Sequence, residues 1–315
     1  MVLCSTKRLQ KLFLGLIITC LVMLNHIQLD LPSKETCACV QCLMDGDVDP
    51  WFRERYKSPV PVFLSRGNSE ISPNTWEWWQ RLQGRPSKEN ISAIVQTLFS
   101  LFPDGELYSD AGPRRCRTCA VVGNSGNLQG SQYGPLIDSH DFVIRMNRGP
   151  TAGFEKDVGS RTTHRAMYPE SAKDIDNSTH LVLVPFKVKD LQWVVSLFAT
   201  KDIPWANQKL KPKIQANKDK VMILNPEFIR YVHESWLKKQ GLYPSTGFII
   251  LVFSLHICDQ VSVFGFGAKE DGTWHHYYDK KYHLHFNRGN HKGSNEYNTT
   301  LELHQRNKIQ MYKGW

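Results

Sequence analysis

Apolar residues in the second half of the chain fall into short runs separated by polar, glycine-bearing turns, and the runs read as strands. Ala120 to Val122, Asp141 to Met146, Leu181 to Val184, Lys220 to Leu224 and Val261 to Phe266 are five such runs. Helical spacing lies between them at Asp190 to Ala199, at Pro226 to Lys239 closed by Gly241, and at Ser245 to His256. A further helix is expected over the Trp-rich segment Trp76 to Trp79, packed on the core. Strands alternating with helices predict an α/β fold.

Two of the turns carry chemistry. The run from Cys119 breaks into Gly123-Asn-Ser-Gly-Asn127. An open α/β sheet binds ligands where its strands end, so this backbone-rich loop is a candidate nucleotide cradle. The competing reading is plain strand-to-helix punctuation, because Gly123 and Gly126 meet only part of a dinucleotide fingerprint. Tyr243-Pro-Ser-Thr-Gly247 opens a helix whose free N–H groups, dipole and Ser245 and Thr246 hydroxyls predict an anion site that needs no metal. In isolation the same residues are a simple N-cap. Cys258 ends that helix, and a bond to Cys119 would hold the anion site beside the Gly123 loop as one nucleotide cleft.

The N-terminus gives the compartment. Lys7, Arg8 and Lys11 precede an apolar run from Leu12 to Leu24 that continues more weakly to Leu31. No small-residue cleavage pattern follows, and the basic flank keeps Met1 cytoplasmic. The expectation is a cytoplasmic tail at 1–11, an uncleaved signal-anchor at 12–29, a stem at 30–60 and a lumenal catalytic domain at 61–315. A span this short suits a Golgi membrane in single-pass type II orientation; the alternative is a cleaved signal peptide and a secreted product.

Cysteine usage agrees with a lumen. Beyond Cys4 and Cys20, the six residues Cys37, Cys39, Cys42, Cys116, Cys119 and Cys258 suit three disulfides, with a zinc site as the competing reading. Asn90, Asn177 and Asn298 head glycosylation sequons. The net charge of +9 fits an anionic small substrate, since a lumenal chain meets no nucleic acid. Part of it lies in six lysines between Lys201 and Lys220, which read as a solvated loop. The acidic run Asp45, Asp47, Asp49 could bind a metal-nucleotide or calcium, but Pro50 and Tyr56 stand where a calcium loop wants glycine and glutamate, so it reads as a solvated turn.

Four motifs in order carry a family resemblance. The chain resembles the animal β-galactoside α-2,3-sialyltransferases of the Galβ1,3GalNAc type in Val121-Val-Gly-Asn-Ser-Gly-Asn127 with Ile137-Asp-Ser-His-Asp-Phe-Val-Ile-Arg-Met-Asn147, in Tyr243-Pro-Ser-Thr-Gly247 through Gly267, in His275-His-Tyr-Tyr278, and in His291 with Glu296. The likeness implies a single Rossmann-like domain, a GT-A variant, with a central mostly parallel sheet behind an anchor and stem. It implies transfer of sialic acid from CMP-sialic acid to the 3-OH of terminal galactose on glycoproteins or glycolipids, inverting and without metal or cofactor; a homodimer stays open.

The resemblance also implies roles. Asn124, Asn147, Tyr243, Gly247 and Gly267 would contact the CMP donor, with Ser245 and Thr246 beside them. His276 would steady the phosphate, His291 would be the catalytic base, and Gln83 would touch the acceptor galactose. Cys37 would pair with Cys42, Cys39 with Cys116, and Cys119 with Cys258. The chain departs from the family at Trp205-Ala-Asn207 and over Asp279 to Asn290, which bears on acceptor preference. A histidine-rich segment such as 275–304 is otherwise solvated loop. Two further functions are weighed: another lumenal nucleotide-dependent transferase, such as a sulfotransferase, and a catalytically silent galactoside-binding protein.

Overall fold

Seven short strands form one parallel sheet: β1 (Thr118–Val122), β2 (Phe142–Met146), β3 (His164–Met167), β4 (His180–Leu183), β5 (Val221–Ile223), β6 (Gln260–Phe264) and β7 (Gln310–Tyr312), in the order β5-β4-β3-β2-β1-β6-β7. This computed structural model describes residues 36–44, 49–82, 90–105, 107–199, 211, 213–268, 273–279 and 290–314. The expected anchor, Gln83, Trp205 to Asn207 and residues 280–289 lie outside them. Among the described residues no helix is long and apolar enough to cross a membrane.

Alternate strand residues point to opposite faces, so each face needs its own cover. One face, carrying Val121, Ile144, Val182 and Val263, packs on α7 (Pro226–Tyr231) and α8 (Thr246–Ile257). The other face has two clusters. Leu181, Leu183 and Ile223 meet α3 (Ile91–Leu101), α6 (Val188–Ala199) and Trp79 of α2 (Pro73–Leu82). Ala120, Val122 and Phe264 meet Ile137 of α4 (Gly134–Asp138) and Val158 of α5 (Glu155–Val158). The Trp79 indole donates to the Pro185 carbonyl at 3.0 Å, which ties α2 to the connection after β4.

Helix α8 is apolar on every side, and a helix of that kind has to be enclosed. Its inner side meets the sheet. Its outer side is covered from both sides of the expected stem boundary: Tyr56, expected to be stem, stacks on His256 at 4.6 Å, and Phe63, just inside the expected domain, meets Phe253 at 5.5 Å. Phe52, in α1 (Pro50–Arg55), is 1% exposed, and Thr36–Trp315 forms one compact unit. The folded unit therefore begins before residue 61. Asp49 is likewise no solvated turn, because its carboxylate caps α1 through the N–H groups of Trp51 and Phe52 and accepts from Arg306 at 2.9 Å.

Disulfides join Cys37 to Cys42, Cys39 to Cys116 and Cys119 to Cys258. With all six sulfurs paired, no thiolate remains there for zinc. The Cys119–Cys258 bond holds the C-terminal end of α8 against the start of β1. Twelve residues span about 18 Å, so the N-terminus of α8 emerges near the opposite end of the strand.

Seven of these elements went unread in the sequence, among them the short helices α1, α4 and α5. Strand β3 opens with His164 and Arg165, which mask it as polar, and β7 has only three residues. Helix α3 and α9 (Gly293–Gln305) have mixed faces without a strong stop. The helix expected over Pro226 to Lys239 is α7 followed by a π turn at Val232–Trp236; Lys238 and Lys239 then take φ of 51° and 62°.

His256 and His164 are buried rings, and burial pushes them down to about 4 and about 3. Both folded values lie below the unfolded one near 6.5, so their contribution to stability is present above that pH and is lost as pH falls through the folded values. Each group steepens acid destabilisation by at most about 1.4 kcal/mol per pH unit in its window. Melting temperatures measured from pH 6.5 to 4 should fall less steeply in His256→Phe than in the parent chain; parallel slopes would contradict a neutral buried ring.

Candidate active site

In an open parallel sheet the ligand crevice forms at the carboxyl ends of the strands where the order reverses, which here lies between β1 and β6. The loops after these strands are joined by hydrogen bonds. The Gly123 N–H donates to the Phe264 carbonyl at 2.7 Å, the Ser125 N–H to Gly265 at 3.1 Å, the Ser125 hydroxyl to Gly267 at 2.8 Å and the Asn127 amide to Phe266 at 2.8 Å. A Cβ on Gly123 would stand 2.2 Å from the Gly265 oxygen, so only glycine permits this approach. The His275-His-Tyr-Tyr278 segment lies against the same loop: Gly126 donates to the His275 carbonyl at 2.7 Å, and Tyr277 donates to that of Asn124 at 3.0 Å.

The result is a cleft of about 820 Å³ whose lining includes Asn124, Asn147, Tyr243, Ser245, Thr246, Gly247, Gly267, His276 and His291. Asn147 takes φ of 53°, a conformation asparagine tolerates, and its side-chain oxygen is buried with no partner among the described residues. His276 stacks on Tyr278 at 4.8 Å and meets Trp274 edge-on at 4.6 Å.

The N-terminus of α8 opens into this cleft. Ser245 caps it by accepting from the Phe248 N–H at 3.2 Å. Its own N–H and hydroxyl donate to the two oxygens of Glu296, at 2.7 and 2.5 Å, so the hydroxyl proton is directed at α9. The N–H groups of Thr246 and Gly247 and the Thr246 hydroxyl are left to this turn as anion contacts. Burial raises the Glu296 carboxyl, while the Ser245 bonds and the charge of His291 hold it down.

His291 stands just before α9. Its Nδ1 lies 3.0 Å from the Tyr243 carbonyl. A carbonyl only accepts, so Nδ1 carries the proton and the neutral ring keeps its lone pair on Nε2. The ring meets that of Tyr243 edge-on at 4.8 Å, and the Asn290 amide donates to the Tyr243 hydroxyl at 2.8 Å.

The family model of glycosyltransferase family 29 (sialyltransferase) matches residues 63–308. The chain is a member of glycosyltransferase family 29. It is 45% identical over 286 residues to the mouse CMP-N-acetylneuraminate-beta-galactosamide-alpha-2,3-sialyltransferase 1, covering 90% of this chain and 85% of the relative. The chicken protein of the same name is 44% identical over 284 residues, covering 89% and 83%. A crystal structure of a mammalian sialyltransferase in complex with Gal-beta-1-3GalNAc-ortho-nitrophenol superposes with a TM-score of 0.81 at 43% identity, covering 89% of this chain and 100% of that one.

This sialyltransferase fold brings further residues to the cleft that the sequence did not single out. Tyr168 and Phe186 extend Tyr243 into an aromatic wall, with centroid separations of 5.8 Å between Tyr168 and Phe186 and 5.1 Å between Phe186 and Tyr243. Beside it, Lys187 pairs with Glu170, and the buried Asp190 accepts from the N–H groups of Phe186 and Lys187 at 2.8 and 3.1 Å. Burial raises the Asp190 carboxyl to about 7 against the pull of Lys187. An acid three residues into a helix after a strand was the available signal; the unread β3 concealed Tyr168 and Glu170.

Glu296→Gln keeps the shape but puts an amide against one of the two Ser245 donors. We expect an unfolding free energy in urea lower by about 1–3 kcal/mol, the cost of a buried donor left unmatched. An unchanged midpoint would show that the α8–α9 clamp is dispensable.

Proposed function

We propose that the chain transfers sialic acid from CMP-sialic acid to the 3-OH of terminal galactose in Galβ1,3GalNAc glycans, with inversion and without a metal. The observation that carries the mechanism is the His291 Nδ1 bond to the Tyr243 carbonyl, which reserves Nε2 for a proton. The acceptor hydroxyl gives its proton to Nε2, and its oxygen attacks the anomeric carbon as the bond from that carbon to the CMP phosphate breaks. Charge then grows on the departing phosphate. The Thr246 and Gly247 N–H groups and His276 are the donors assigned to it, acting where fixed dipoles count most. Glu296 lies close enough to favour the imidazolium that forms.

Asn124, Asn147, Tyr243 and Gly267 are assigned to CMP, and Gln83 to the galactose. The cleft carboxylates bear on the metal-free reading through their existing commitments: Glu296 to Ser245, Glu170 to Lys187, and Asp190 to two backbone N–H groups. We assign the chain to the Golgi membrane in type II orientation, anchored through 12–29, on the basic flank and apolar run of its N-terminus. A sulfotransferase or a silent galactoside binder finds no support in the family membership.

His291→Ala in the detergent-solubilised chain should lower kcat by about 10²–10⁴-fold while CMP still raises the melting temperature. Mass spectrometry with linkage-specific sialidase would identify an α-2,3 product from the parent chain. Full activity in the variant would overturn the base assignment, and loss of parent activity in EDTA would overturn the metal-free mechanism.

A further inference from the structure

Two buried arginines stand behind the Asn147 side of the cleft. Arg145 of β2 and Arg165 of β3 are register partners, 2% and 4% exposed. Burial pushes both guanidiniums down to about 10, which leaves them charged in the neutral range. Among the described residues no carboxylate accepts from either one, although a buried cation ordinarily requires a compensating partner. The bonds they do make therefore indicate their use. Arg145 anchors the β2–β3 connection by donating through Nε and Nη2 to the Arg161 carbonyl, at 2.9 and 2.8 Å.

Arg165 instead holds the turn that follows β2. Its Nη1 donates to the Gly149 carbonyl at 2.8 Å and to that of Asn147 at 3.3 Å. The Pro150 carbonyl accepts from the Tyr277 hydroxyl, so three carbonyls of this turn are tied from behind. The Asn147 N–H is fixed as well, donating to Ala166 at 2.8 Å. At the front, the unpartnered Asn147 Oδ1 belongs to a residue lining the cleft. A Cβ on Gly149 would stand 2.3 Å from the Asn124 side-chain oxygen, so the turn also abuts the second asparagine of the cleft.

We infer that Arg165 is a positioning residue for the nucleotide half of the donor, clamping the turn from 147 to 150 so that the Asn147 carboxamide oxygen accepts from an N–H or O–H group of cytidine. The two buried positive charges behind the turn also favour a bound anion over none. This rests on the reading that CMP-sialic acid is the donor. Arg165 touches no reacting atom, so its effect falls on donor binding and not on the chemical step. Lysine would keep the charge, but both bonds leave Nη1 at the tip of the guanidinium, and a lysine side chain ends one bond short of that position.

The test compares the parent chain, Arg165→Lys and Tyr277→Phe, the last removing one hydroxyl from the same turn. Calorimetric titration with CMP gives Kd, and initial rates give the KM of each substrate. For Arg165→Lys we expect Kd for CMP and donor KM to rise about tenfold, with acceptor KM and kcat at saturating donor within about twofold of the parent. Tyr277→Phe should show the same split at about threefold, and it decides the matter if Arg165→Lys does not fold. A folded Arg165→Lys that binds CMP as the parent does, or that loses kcat with both KM values unchanged, overturns the inference. If it is not folded, an unchanged donor KM in Tyr277→Phe does so. A parent chain that binds no CMP overturns the donor reading and this inference together, whereas parent binding with indifferent variants overturns this inference alone.

Discussion

The enclosure of helix α8 is the constraint from which the site follows. An apolar helix with no polar face must be walled in on all sides, and in this chain the sheet supplies one wall while the segment from Phe52 to Phe63 supplies another. Because α8 returns antiparallel to β1 and its far end is bonded through Cys258 to Cys119, its N-terminal N–H groups come to the carboxyl ends of β1 and β6. An anion-binding turn is thereby set at the crevice by packing, and no residue of that turn has to be held there for its own sake.

Around this end the cleft is closed by contacts that tolerate little change. Glycines at 123 and 265 let two loops meet closely enough to hydrogen-bond, and the His275 ring fills the space in front of Gly126. Glu296 grips Ser245 by two donors and so fixes α9, the helix that His291 precedes, against α8. The base and the anion turn therefore share one support. Their relative position is set by a buried carboxylate, and a fixed base-to-phosphate geometry is what in-line transfer requires.

Much of this was legible in residue order. The five apolar runs became strands, the Tyr243-Pro-Ser-Thr-Gly247 turn became a helix start, and the glycine loop after β1 became the crevice floor. The misreadings have physical causes. Strand β3 opens with His164 and Arg165, two types that read as surface, yet Arg165 lies inside because backbone carbonyls receive it. Ser245 reads as a phosphate ligand by type, yet its proton goes to a glutamate fifty-one positions away. The stretch before residue 61 reads as a stem because its cysteine cluster and acidic, proline-bearing run show no strand or helix period, and its described residues pack on the core because α8 needs an outer wall.

By itself, then, the sequence determined the α/β alternation, the oxidising compartment expected from its cysteines, and the residue types of the site, since these depend on local periodicity and side-chain chemistry. Tertiary structure decided which nitrogen of His291 keeps its lone pair, which donors of Ser245 are consumed, and which residues from β3 and β4 complete the cleft. Those outcomes depend on partners distant in the chain, and only packing brings them within hydrogen-bond reach.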